Sequence, residues 1–78
     1  MDREKQIEIL MADHCTRYEA EKYLKDGTVI YENTETEKAG FIQNCVGGCM
    51  EKLEAIEIWD DLYIVDFNGT SYKIFYVL

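Results

Sequence analysis

Asn68-Gly69, set between Leu62-Tyr63-Ile64-Val65-Asp66-Phe67 and Thr70-Ser71-Tyr72-Lys73-Ile74-Phe75, is the feature that most restricts how this chain can fold. Both central residues of a type I′ turn need positive φ, which Asn and Gly accept at small cost. Placed between apolar, β-forming runs, the pair specifies a two-residue hairpin. That loop length fixes the register: Val65 faces Tyr72, Tyr63 faces Ile74, and Leu62 faces Phe75 on the other side. Both faces of this hairpin are largely apolar, and a lone hairpin is marginal in water. Helices must therefore cover at least one face. Thr28 to Glu32, rich in β-branched and aromatic residues, is available as a third strand.

The helices are sought upstream. Ile7, Leu10, Met11 and His14 stand at i, i+3, i+4 and i+7, one stripe of an amphipathic helix. Thr16-Arg17-Tyr18-Glu19 has the form of a capping box, so a second helix starts at Arg17, turns Ala20, Tyr23 and Leu24 inward and stops at Gly27. Thr34-Glu35-Thr36-Glu37 opens a third through Phe41, Ile42 and Cys45, which Gly47-Gly48 breaks. Helical spacing resumes with Met50, Leu53 and Ile56 towards Trp59. The expectation is a single α+β domain spanning residues 1–78: short N-terminal helices packed on a small antiparallel sheet that ends in the C-terminal hairpin.

Charge narrows the function. Sixteen Asp and Glu against eight Lys and Arg leave a net charge of −8. Such a balance opposes direct binding to nucleic acid or to an anionic membrane, and the natural partner is a basic surface. The first two helices resemble a helix-turn-helix in outline, but Lys22, Lys25 and Arg17 are offset by Glu19, Glu21 and Asp26, which speaks against reading DNA. Glu51, Glu54, Glu57 and Asp61 recur at helical spacing, opposite Met50 and Leu53, with Asp60 beside them. Glu32, Glu35 and Glu37 form a second cluster. Residues three and four apart on a helix lie ~5–6 Å from one another, comparable to successive phosphates, so such a ridge can occupy a groove built for nucleic acid. The competing account is a solvated face that keeps a small protein soluble. Six tyrosines, each an apolar ring with a polar tip, suit interface positions, and a homodimer through the sheet is an alternative use for them.

His14, Cys15, Cys45 and Cys49 offer the ligand types zinc prefers, and a structural zinc ion would staple the first helix to the third. Against it, His14 and Cys15 are adjacent, Cys45 to Cys49 is a C-x3-C spacing rather than the paired C-x2-C form, and free cysteine is commonly a small core residue. A zinc-stabilised structural or accessory module with no inhibitory role is therefore the alternative. Catalysis finds little support: there is one His, no phosphate-binding glycine loop and no legible triad. The first fifteen residues mix charges with apolar positions, unlike a signal peptide, and apolar runs such as Ile74 to Leu78 are too short to span a bilayer. The expected compartment is the cytoplasm.

Two stretches carry a resemblance. Leu10-Met11-Ala12-Asp13-His14, Thr16 to Glu21 and Tyr23-Leu24-Lys25-Asp26-Gly27-Thr28 resemble the opening of small acidic proteins encoded by phages and mobile elements of Gram-positive bacteria. Trp59 and the segment from Val65 to Leu78 are similar to their C-terminal hairpin. Proteins of that kind include anti-CRISPR inhibitors, some acting on type II effectors such as Cas9. The resemblance implies a non-enzymatic, stoichiometric inhibitor that occupies a basic surface of a nucleic-acid-handling protein. Glu51, Glu54, Glu57, Asp60 and Asp61 are the residues expected to contact it.

Overall fold

The computed structural model describes residues 1–77; Leu78, the last residue of the C-terminal segment just compared, lies outside them. In chain order the elements are α1 (Arg3–Ala12), α2 (Arg17–Lys25), β1 (Val29–Glu32), α3 (Glu35–Gly47), α4 (Lys52–Asp61), β2 (Tyr63–Phe67) and β3 (Thr70–Phe75). The helix starts follow the local chemistry. Asp2 accepts from the Lys5 amide at 2.8 Å. Thr16 and Glu19 form the full reciprocal box, at 3.1 and 2.9 Å. At α3 only half of the box forms: Thr34 accepts from the Glu37 amide, while its own N–H donates to the Glu32 carbonyl and has no need of the Glu37 carboxylate.

Asn68 and Gly69 take φ of 50° and 81°, the left-handed pair of a type I′ turn. The expected register holds, with Val65 opposite Tyr72 and Tyr63 opposite Ile74. The ladder begins at Tyr63, so Leu62 is the C-cap of α4 rather than a paired strand residue. β1 pairs antiparallel with β3, Ile30 opposite Ile74, and the sheet order is β1-β3-β2. The last strand in sequence is thus the middle one in space. Tyr72, Lys73 and Ile74 along it are all buried.

Successive strand residues point to opposite faces, and the two faces are covered by different helices. On one, Val65, Tyr72 and Ile74 meet Ile7, Ile9 and Leu10 of α1 and Ala20 of α2. On the other, Tyr31 lies 5.4 Å from Phe41 of α3 and 5.6 Å from Trp59 of α4, centroid to centroid, and Phe75 lies 6.1 Å from Phe41. Lys73 also points to this second face. Its Nζ donates to the Trp59 carbonyl at 2.7 Å and sits 5.4 Å from the centroid of the Trp59 ring. A buried ammonium is tolerable there because it meets the negative end of α4 and an aromatic face.

Helices cover both faces of the sheet, where the hairpin required cover on at least one, since β3 is apolar or shielded on each side. Two sequence expectations change. In α1, Ile9 is buried, whereas Met11 and His14 are exposed. The helix ends at Ala12 and His14 turns out with φ of 71°, beyond the reach of the stripe. Finally Leu53, expected on the buried side of α4, is 73% exposed; Ala55 and Trp59 are the buried residues.

Thr16→Ala removes the cap of α2 and is expected to lower stability by about 1 kcal/mol. Lys73→Ala leaves a void beneath Trp59 and should cost more, about 2–4 kcal/mol. Urea unfolding of both variants measures the order; a smaller loss for Lys73→Ala would contradict the role given to that side chain.

Candidate functional site

α4 carries most of the acidic ridge. Ala55 and Trp59 fix its inward side, so Glu54, Glu57 and Asp61, spaced three, four and seven apart, share the outward side with Asp60. Glu51 is the extended N-cap residue, preceding the first turn and making no side-chain cap bond. All five carboxylates are exposed. Leu53 belongs to the same surface, four residues before Glu57, and places an apolar side chain among the acids. Its exposure was not visible in the sequence, where spacing from Met50 and Ile56 assigned it inward.

None of the five acids has an ion-pair partner among the described residues. Among the described residues the ion pairs are those of Arg17 with Glu4, at 2.8 Å, and with Glu21, at 3.7 Å, both on the opposite side of the sheet from α4. From Leu53 to Tyr72 the sequence contains no Lys or Arg at all, while Glu54, Glu57, Asp60, Asp61 and Asp66 fall within it. Asp60 and Asp61 also stand at the C-terminal end of α4, where the helix dipole disfavours anions. Local stability does not explain the placement of these two charges.

Beside Asp61 the surface opens into a cleft of about 520 Å3, reaching across the α4–β2 junction to the end of α1. Asp13, Cys15, Tyr23, Tyr63 and Tyr76 contribute to its walls. The rings of Tyr23 and Tyr76 meet edge to face at 4.8 Å, and those of Tyr63 and Tyr76 at 5.3 Å. The Tyr76 hydroxyl donates to Asp13 Oδ2 at 2.6 Å and lies 3.7 Å from Cys15 Sγ. Burial pushes ionisation of Tyr76 far above the ordinary tyrosine range, and the adjoining Asp13 carboxylate and Cys15 push it further. No local pattern marks this link, which joins residues 63 positions apart.

The four residues suggested as zinc ligands are not gathered. His14 and Cys15 lie in the α1–α2 connection, and Cys15 packs against the cluster beneath α1 and α2. Cys45 lies towards the end of α3, near Tyr31 on the other face, where it contributes to raising the tyrosine's ionisation after burial itself. Cys49 follows the α3 cap with φ of 74° and is exposed. The sheet stands between the two halves of the set. Among the described residues no group of three or more His, Cys, Asp or Glu side chains is placed to hold a metal ion.

Among the described residues no helix is long and apolar enough to cross a membrane. No protein-family model, curated protein or solved structure matches the chain.

The raised ionisation of Tyr76 sets a pH dependence. In the unfolded chain Tyr76 ionises near its ordinary value of 10.0, whereas in the fold it stays neutral to higher pH. Its contribution to stability is therefore complete below pH 10 and declines as pH rises from there towards the folded value. Tyr76→Phe is expected to reduce that alkaline decline, measured by urea unfolding between neutral pH and the alkaline limit of the fold. An unchanged decline would locate its cause elsewhere.

Proposed function

We propose that the protein is a non-enzymatic inhibitor that binds, through the outer side of α4, the basic nucleic-acid-binding surface of another protein. One observation carries the reading: five exposed carboxylates along α4 and its N-cap that have no ion-pair partner among the described residues. Unpaired surface acids contribute little to a fold and repel one another, but they become favourable opposite a surface of the other sign. A helix is a rigid support, so the carboxylate spacing survives in the free protein and little ordering is needed on binding. Leu53, 73% exposed amid the acids, supplies an apolar anchor that charge alone would not provide.

The sharpest form of this reading is an anti-CRISPR protein of phage or mobile-element origin, acting in the bacterial cytoplasm on a Cas9-type effector. Its support is the resemblance of the two terminal stretches together with the fit of a carboxylate ridge to a groove built for guide or target strands. The mechanism is occupancy: α4 sits where phosphates would sit, and nucleic acid is excluded in proportion to the inhibitor bound.

The test is inhibition of DNA cleavage by purified Cas9, combined with direct binding measured across a salt series. Glu54→Lys with Glu57→Lys is expected to weaken binding by about tenfold or more, some 1.4 kcal/mol, and to flatten its salt dependence. Leu53→Ala should weaken binding while leaving the salt slope as it was. No cleavage inhibition by the parent protein would eliminate the Cas9 form. Recovery of another basic nucleic-acid enzyme from nuclease-treated lysate, released as salt rises and lost with the double reversal, would keep the general one. Equal binding by the parent and the double variant would sink both.

A further inference from the structure

We propose that the cleft beside Asp61 is a pocket for an arginine side chain presented by the basic partner. The inference rests on the acidic-ridge reading for the source of that arginine. The pocket itself rests on separate observations.

Its size is suitable: about 520 Å3 falls within the ~300–1,000 Å3 of small-ligand sites. Its chemistry is selective. Three tyrosine rings in edge-to-face sequence offer π-faces, and a guanidinium is the planar cation that stacks on such faces while its N–H groups fork onto a carboxylate. Two carboxylates are present. Asp13 is held in place by the Tyr76 hydroxyl through Oδ2, and its Oδ1 makes no hydrogen bond among the described residues. Asp61 makes no hydrogen bond or ion pair among them either, and no Lys or Arg contributes to the cleft. Ile58 and Leu62 provide an apolar wall for the methylenes of the arginine stem. A neutral or anionic occupant would leave the carboxylates without a counter-charge.

Position connects the cleft to the ridge. Asp61 belongs to both, so a basic segment lying along α4 runs past Asp61 to the mouth of the pocket. Tyr63, 63% exposed at the start of the edge strand β2, stands there as the outermost ring. An arginine entering between Tyr63 and Asp61 anchors one end of a contact that charge otherwise leaves free to slide.

The experiment is an NMR titration of the intact protein with N-acetyl-arginine-N-methylamide and with its uncharged isostere, N-acetyl-citrulline-N-methylamide. The arginine compound is expected to give saturable shifts at Tyr23, Tyr63, Tyr76 and Asp61, with affinity at least about tenfold above that of the citrulline compound. Asp61→Asn and Tyr63→Ala, both at exposed positions, should each weaken it by about fivefold or more and leave the spectrum of a folded protein. The absence of saturable shifts, equal shifts with citrulline, or shifts spread evenly along α4 would overturn the pocket. Glu54→Lys with Glu57→Lys separates the two readings. If that variant loses the macromolecular partner but retains the arginine compound, both stand. If the parent binds a partner through α4 yet never binds the arginine compound, the ridge survives and the pocket fails. If the arginine compound binds while no partner responds to the reversal, the pocket survives and the ridge fails.

Discussion

The fold depends on β3 being buried on both sides. As the centre of a three-stranded sheet in so short a chain, it has to find cover twice, and the chain divides its helices to supply it: α1 and α2 on one face, α3 and α4 on the other. The resulting arrangement is two thin half-cores sharing one strand, in place of a single thick one. Lys73 shows how narrow the margin is. A charged residue lies in the middle of the second half-core, and it is accommodated only because the helix above ends where a carbonyl and an indole face are available to its ammonium. Trp59 consequently serves three roles at once, filling the layer, capping Lys73 and completing an aromatic group with Tyr31 and Phe41.

The same division orders the chemistry. α4 is pinned along its inner side by Ala55 and Trp59, which leaves its outer side committed to solvent and densely acidic. The acids at its C-terminal end oppose the helix dipole. A sequence selected for stability alone would place lysines there, as α2 does with Lys22 and Lys25 in its last turn. The contrast between two helices of the same small protein is the strongest reason to regard the charge on α4 as directed outward.

Much of the fold was legible because its determinants are local. Asn68-Gly69 fixes both turn and register, Thr16 and Glu19 fix the start of α2, and Gly48 ends α3 where the glycine pair suggested. What was not legible depends on neighbours distant in sequence. Spacing alone cannot decide whether Leu53 or Ala55 faces inward, because that depends on where Tyr31 and Phe75 place the sheet. Likewise, the proximity of Cys15 and Tyr76 requires knowing that β3 is central. The zinc set illustrates the same limit: four suitable residue types were present, but the sheet that lies between them is a tertiary fact. The acidic ridge was visible as a spacing, whereas the lack of ion pairs along it among the described residues depends on where the fold places the bases, with Arg17 held by Glu4 and Glu21 on the far side.

That distribution has a consequence for how the molecule meets anything charged. Arg3, Lys5, Arg17, Lys22 and Lys25, five of its eight bases, belong to residues 1–27 of the α1–α2 layer, where they offset most of its seven acids. The stretch from Leu53 to Tyr72, which includes the outer side of α4, carries five acids and no base. The protein is therefore an electric dipole as well as an anion. In the field of a basic surface it experiences a torque as well as an attraction, and the torque turns α4 forward before contact. Orientation would then be set during approach, with no search over the wrong faces after collision.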